Sequence, residues 1–197
     1  IVSTLYWVGV HNSREENAIY QNQIVTTSFI DIMDTIESDA HKLATDSDII
    51  DYLNYVNEGN PAIVNVADPD FEIYSNYLIQ AESVMNYQVD GLYDLVYLAT
   101  ETECSSGPDG CGITYNGQLS FADWELSQRP WYTAITGITS ILTDPYTDGL
   151  TGEYVISYVE KVFDNATLIG YVGIDIKLTN LAIVLTDIQE NKVQDDN

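Results

Sequence analysis

The sequence predicts an α+β fold: one long N-terminal helix, a domain built on a central antiparallel sheet of about five strands, and a closing helix. Three observations carry this. From His11 to Leu43 there is no Pro or Gly, and apolar residues recur at helical spacing. After Asn86 the texture changes to short apolar runs separated by turn residues, the pattern of an antiparallel sheet. Finally, 45% of the 197 residues are hydrophobic, which is too apolar for a disordered acidic chain and enough to bury a core.

The first ten residues, IVSTLYWVGV, are apolar but too short to span a bilayer. They read either as the last turns of a transmembrane helix or as an ordinary buried helix start. Ile19, Ile24, Val25, Phe29, Ile30, Met33, Ile36 and Leu43 then mark the apolar stripe of the long helix. At ~1.5 Å per residue it runs close to 50 Å, longer than one small sheet covers, so surface is left for a second copy of the chain. DSDIIDYLNYV reads as a second helix, with Asp46 or Ser47 as N-cap and Gly59-Asn60-Pro61 as its stop. PDFEIYSNYLIQAESVMN is a third candidate helix, with an ambiguous pattern.

GLYDLVYLAT reads as the first strand and Gly112 to Tyr115 as a short second one, closed by Asn116-Gly117. SQRPWYTAI is a turn into a short helix, because proline fixes the backbone of a first helical position. SILTDPY, EYVISYVEKVF and TLIGYVGIDI are three further strands, joined by TDGLTG and DNA. KLTNLAIVLTDIQENK closes the chain as a helix, with Thr179 as the expected N-cap.

Charge excludes whole classes of partner. The chain has 31 Asp plus Glu against 6 Lys plus Arg, a formal net charge of -25. The cations Arg14, Lys42, Arg129, Lys161, Lys177 and Lys192 are too scattered to form a basic stripe, so nucleic acids and anionic membrane surfaces are repelled. Dense carboxylates keep a surface hydrated and soluble, which is a statement about solubility and not about fold. No Ser and His arrangement, Gly-rich phosphate loop or metal-ligand cluster follows a familiar pattern. The sequence therefore reads as a binding domain with no catalytic residue, no metal and no cofactor.

Cys104 and Cys111 flank SSGPDG, a stretch of turn formers. Either a disulfide closes this loop or both are free thiols. The spacing is too wide for a metal knuckle, and His11 and His41 lie far away. The disulfide reading, together with the acceptor sequon Asn165-Ala166-Thr167, points to an extracytoplasmic compartment. DPYTDGLTGE places Asp144, Asp148, Gly149 and Glu153 in one loop, but without the alternate-position oxygens of a calcium loop; a solvated hairpin is the simpler reading.

One constellation remains. Arg129 is the only cationic side chain between Lys42 and Lys161, and it stands against Pro130, Trp131 and Tyr132. A guanidinium matches a carboxylate in two-pronged geometry, and the indoles of Trp131 and Trp124 can add N–H donors. Asp175 offers the opposite charge, with Tyr171 and Gly173 on its face of the strand by alternation. An acid beside a bare glycine makes a floor for an ammonium, and Tyr146 can donate, accept or face a cation. Together these suit a zwitterion. The structural alternative is a buried Arg129–Asp175 ion pair, with Trp131 and Tyr132 as core aromatics.

Arg129-Pro130-Trp131-Tyr132, Asp144-Pro145-Tyr146 and Gly173-Ile174-Asp175-Ile176 resemble the membrane-distal, PAS-like module of double Cache (PDC) sensors. These are the extracytoplasmic input domains of bacterial and archaeal chemoreceptors and sensor histidine kinases. The resemblance covers the sheet-rich second half, and the leading helix fits the family's first helix. An amino-acid-binding subset has a pattern similar to Tyr-x4-Arg-x-Trp-Tyr, then a Tyr, then an Asp. Arg129, Trp131, Tyr132, Tyr146 and Asp175 match it, and Trp124 stands in the place of the leading tyrosine. An indole keeps the ring and one donor but cannot accept a hydrogen bond.

The resemblance implies a stalk or juxtamembrane helix over 1–45 and a Cache sensor over 46–178. It implies a helix over 179–197 leading to a second module or a membrane segment. The implied partners are a small amino acid or organic acid, a second copy through the N-terminal helix, and the membrane through flanking helices. An acidic structural or adhesive module is the competing class.

Overall fold

The computed structural model describes residues 2–58, 91–101, 113–115, 118–120, 126–149 and 151–195. The expected third helix, the Cys104–Cys111 pairing and Trp124 lie outside these residues. The chain divides into two compact units, Ile1–Thr35 with Ala182–Asn197, and Ile36–Leu181.

The first unit takes its helices from α1 (Val2–Ala44) and from the closing helix (Leu178–Asp195). On α1, Ile24, Ser28 and Ile32 are buried, a four-residue spacing that defines one face. Val184 is buried on the closing helix, and Gln189 Nε2 donates to Gln21 Oε1 at 2.7 Å. Ile19, Tyr20, Ile30 and Ile183 are exposed. Among the described residues no helix is long and apolar enough to cross a membrane. The closing helix begins at Leu178, directly after the last strand, so Thr179 lies inside its first turn and is not the N-cap expected from sequence.

Among the described residues the second unit is built on a sheet of seven strands. They are β1 (Tyr93–Thr100), β2 (Ile113–Tyr115), β3 (Gln118–Ser120), β4 (Ser140–Leu142), β5 (Tyr146–Thr147), β6 (Tyr154–Asp164) and β7 (Thr167–Lys177). The order is β3-β2-β1-β7-β6-β4, with β5 also on β6, and every pairing is antiparallel. Two short strands exceed the sequence expectation. β3 is the return arm after Asn116-Gly117. SILTDPY splits into β4 and β5, since Pro145 has no N–H to give to a ladder.

β7 lies between β1 and β6 and is buried on both faces from Ile169 to Ile176. On one face Val172, Ile174 and Ile176 lie under helices. α2 (Ser47–Asn57) buries Ile49, Tyr52 and Leu53, and the end of α1 buries Ile36, Ala40 and Leu43. Asp46 Oδ1 accepts the N–H of Asp48 at 2.9 Å and of Ile49 at 3.4 Å, which makes Asp46 the N-cap of α2. Leu53 approaches so closely that a Cβ on Gly170 would lie 3.0 Å from Leu53 Cδ1 and 2.5 Å from the Ala99 carbonyl. The opposite face carries Leu95, Tyr97, Ala99, Val159 and Tyr171, packed with Leu126, Trp131 and Ile135 into one apolar cluster.

Candidate functional site

The site begins where that apolar cluster ends. A 3-10 turn (Leu126–Gln128) leads into α3 (Pro130–Ala134). Pro130 at the first helical position holds Arg129 in extended backbone, φ -78° and ψ 128°, with no cap bond from its side chain. The short helix buries Trp131 and Ile135 in the cluster, while Arg129 stays half-buried. Arg129 Nη1 lies 3.0 Å from where a Cβ on Gly149 would sit, so the loop after β5 lets the guanidinium lie against bare backbone.

Asp175 is 2% exposed on β7 and stands opposite Ser157 on β6. Ser157 Oγ donates to Asp175 Oδ1, and Tyr146 Oη lies 2.7 Å from Ser157 Oγ, forming a relay of three polar side chains. Ser157 is fixed from behind. Its N–H donates to Thr143 Oγ1 at 2.9 Å, and its carbonyl accepts the Thr143 N–H at 2.9 Å. Burial pushes the Asp175 carboxyl up to about 8, against the lowering effect of the Ser157 hydrogen bond; Asp148 and Asp94 raise it further and Arg129 lowers it. Burial likewise raises the Tyr146 hydroxyl, and Asp175 adds to that.

Asp148 is the member of this group that the sequence assigned to a solvated turn. It is 6% exposed. Its Oδ2 accepts the Thr151 N–H at 2.6 Å and the Thr151 hydroxyl at 2.9 Å, while its own backbone closes the turn with Glu153 and Gly152. Gly152 supplies the positive φ of 74° which that turn requires. Asp148 acts electrostatically on Asp175, Tyr146 and Tyr97, so the loop folds a second carboxylate inward beside the first. Nothing in its own stretch of sequence separates it from the other acids of the turn.

Arg129, Tyr146 and Asp175 are thus in one polar group with Asp148 and Ser157. Trp131 is 1% exposed and packs at 6.3 Å from Tyr97 and 5.1 Å from Tyr171, so it fills the core reading of that residue. The ring contacts of Tyr132 are edge-on to Trp131 and Tyr171. Tyr171 lies four residues from Asp175, about 13 Å along the strand. These ring contacts place Tyr132 against the aromatic cluster. The bare floor expected at Gly173 is covered, because a Cβ there would fall within the Tyr97 ring.

An open cavity of about 500 Å³ lies elsewhere, at the start of β7, lined by Asn54, Asn57, Glu58, Glu101 and Asp164 among others. Asn54 donates to Asp164, Asn57 to the Ile169 carbonyl, and Tyr171 to Glu101. Among the described lining residues there is no cation. The Arg129–Asp175 group, in contrast, holds both signs of charge.

Residues 106–183 match the family model of the methyl-accepting chemotaxis protein-like first PDC sensor domain. The fold is similar to the sensory domain of the Campylobacter jejuni chemoreceptor Tlp3 (CcmL) with isoleucine bound: TM-score 0.62, 17% identity, 90% of this chain and 65% of that one. The Tlp3 ligand-binding domain with L-valine gives a TM-score of 0.58 at 17% identity, over 90% and 65% of the two chains. The ligand-binding domain of the Pseudomonas aeruginosa PAO1 amino acid chemoreceptor PctC, in complex with GABA, gives 0.52 at 20% identity, over 83% and 63%. The chain spans less than two thirds of each of these structures. No curated protein matches the sequence.

Proposed function

We propose that this chain, which carries a PDC (Cache) sensor domain, is the extracytoplasmic ligand-sensing part of a transmembrane receptor, and that it binds a small amino acid. The receptor is either a methyl-accepting chemotaxis protein or a sensor histidine kinase. The observation that carries the reading is the charge pattern: one half-buried guanidinium, Arg129, grouped with two buried carboxyl groups, Asp148 and Asp175. An isolated ion pair would need one acid. The second buried acid gives an ammonium a partner of its own while Arg129 stays available to a carboxylate, and a zwitterion leaves the net charge of the group unchanged. The ligand carboxylate then takes Arg129, and the amino group lies between Asp175, Asp148 and Tyr146. The isoleucine bound to Tlp3 and the GABA bound to the amino acid chemoreceptor PctC support the same class.

The proposed organisation is a juxtamembrane helix over 1–45, the sensor over 46–178 and a connecting helix over 179–197, with pairing of two copies through the first helix. Ile19 and Ile30, exposed on α1, support that pairing. Binding without chemistry is the proposed activity.

Calorimetry and thermal melting against amino acids and simple organic acids test the assignment. Losing one partner of a desolvated charge pair costs about 2 to 5 kcal/mol, so Arg129→Ala weakens amino-acid binding by two to three orders of magnitude. Asp175→Ala weakens amino acids but spares carboxylic acids that have no ammonium. Unchanged binding in Arg129→Ala makes the arginine structural and refutes the reading. Equal loss of both ligand classes in a folded Asp175→Ala favours an organic acid, with Asp175 serving to position Arg129. A melting point that no ligand raises favours a structural module.

A further inference from the structure

Tyr97 is a polar side chain of this sheet face that the proposed head-group contacts do not use. It stands on β1 opposite Gly173 and is 2% exposed. Its hydroxyl has no hydrogen-bond partner among the described residues. A Cβ on Gly173 would meet Cζ, Cε2 and Oη of Tyr97, so the far end of the phenol lies across the bare backbone of β7. On one side is the apolar cluster, with Trp131 at 6.3 Å. On the other are the groups whose charges reach the hydroxyl: Asp175, Tyr146, Asp148 and Arg129. The ring therefore marks the border between hydrocarbon and polar site, with its hydroxyl on the polar side.

We propose that Tyr97 determines the specificity of the site: its ring restricts the ligand to a short side chain, and its hydroxyl is kept for a hydrogen-bonding group on that side chain. The preferred ligands are then short polar amino acids of the threonine, serine and asparagine type. This rests on the amino-acid reading. Arg129 answers the ligand carboxylate and the two acids answer the ammonium, which leaves the side chain as the part of the ligand to meet Tyr97. The phenol occupies the volume that Gly173 would otherwise leave open, so a long side chain has no room along the strand. A hydroxyl donates or accepts, and so pairs with a side-chain hydroxyl or amide. An apolar side chain of the same shape would leave the phenol oxygen without a partner, as it is in the free protein, whereas a polar one satisfies it, and a site built to hydrogen-bond discriminates strongly against an analogue that lacks the group.

Calorimetry on the full chain with two near-isosteric pairs, threonine against valine and asparagine against leucine, decides the matter. Wild type is expected to prefer the polar member of each pair by about tenfold or more. Tyr97→Phe keeps the ring, so it should retain the affinity for valine and leucine and bring both ratios close to one. A wild-type preference for valine or leucine overturns the proposal, and this holds even if the variant fails to fold. So does an equal loss of both members in Tyr97→Phe, which would assign the hydroxyl to the shared head group. If no amino acid binds the wild type, the amino-acid reading falls and takes this proposal with it. If only apolar amino acids bind, with Arg129→Ala abolishing them, the role of Tyr97 alone is refuted.

Discussion

Binding of an amino acid should expel a proton from Asp175, and the structure sets the pH at which this happens. Burial beside Asp148 holds the carboxyl of Asp175 up at about 8 in the ligand-free protein. An ammonium placed against it favours the ionised form. The free protein thus carries the proton and the complex does not, so binding strengthens as pH rises and levels off above about 8. Each unit below that point costs about 1.36 kcal/mol, a factor of ten, which makes affinity at pH 6 about a hundredfold weaker than the plateau. At pH 7 about nine-tenths of Asp175 is protonated, so about 0.9 proton should leave per ligand bound. Calorimetry at pH 7 in two buffers of different ionisation enthalpy measures that number directly. Asp175→Asn should bind more weakly and release no proton between pH 6 and 8. The reasoning fails if the wild type releases none, or if the variant releases as much as the wild type.

The same carboxyl controls the ligand-free protein. Its folded value lies above the ordinary 3.8, so the native state holds a proton that the unfolded chain has lost between about pH 4 and 8. Stability from this group is therefore full below pH 4 and falls as pH climbs to 8, by up to about 5 kcal/mol. Denaturant titrations of wild type and Asp175→Asn across that window should diverge, with the variant the more stable at pH 8; parallel curves would count against the raised value. Gly149→Ala places a methyl 3.0 Å from Arg129 Nη1, at the flexible end of a side chain. It should displace the guanidinium and weaken ligand binding about tenfold, with a melting point within about two degrees of wild type. Gly170→Ala is the structural counterpart, since its methyl meets the Ala99 carbonyl at 2.5 Å and Leu53 at 3.0 Å. It should cost about 1 to 3 kcal/mol of stability by chemical denaturation, with the polar site unaffected.

The sequence displayed its elements where local chemistry decides them. The unbroken helical spacing before Leu43, the Asp46 cap, the Arg-Pro entry to α3 and the paired long strands β6 and β7 are each local signals, and each is seen in the structure. What escaped was non-local or too short to have a period. A three-residue strand such as β3 exists because β2 offers it an edge, and no window of its own sequence could announce it. Thr179 failed as a cap because β7 runs straight into the helix, leaving no loop residue for a cap to occupy.

For the polar site the limit was different in kind. Arg129, Tyr146 and Asp175 were marked by the resemblance to double Cache sensors and by their chemistry, a guanidinium for a carboxylate with an acid and a hydroxyl for an ammonium. Sequence chemistry passed over Asp148, one of 31 acids, and Tyr97, one of 15 tyrosines, since no neighbouring residue marks either one. Only the fold distinguishes them, Asp148 by the Gly152 turn that brings it inside and Tyr97 by the bare Gly173 across which it lies. Their addition changes the electrostatic argument. With a net charge of -25 the chain's field disfavours any anion, and a lone arginine backed by two buried acids does not reverse that field. A simple carboxylate would meet Arg129 at the expense of Asp148 and Asp175. A zwitterion meets all three, adding no net charge to an acidic protein while satisfying both signs at short range, where the dielectric is lowest and the interactions strongest.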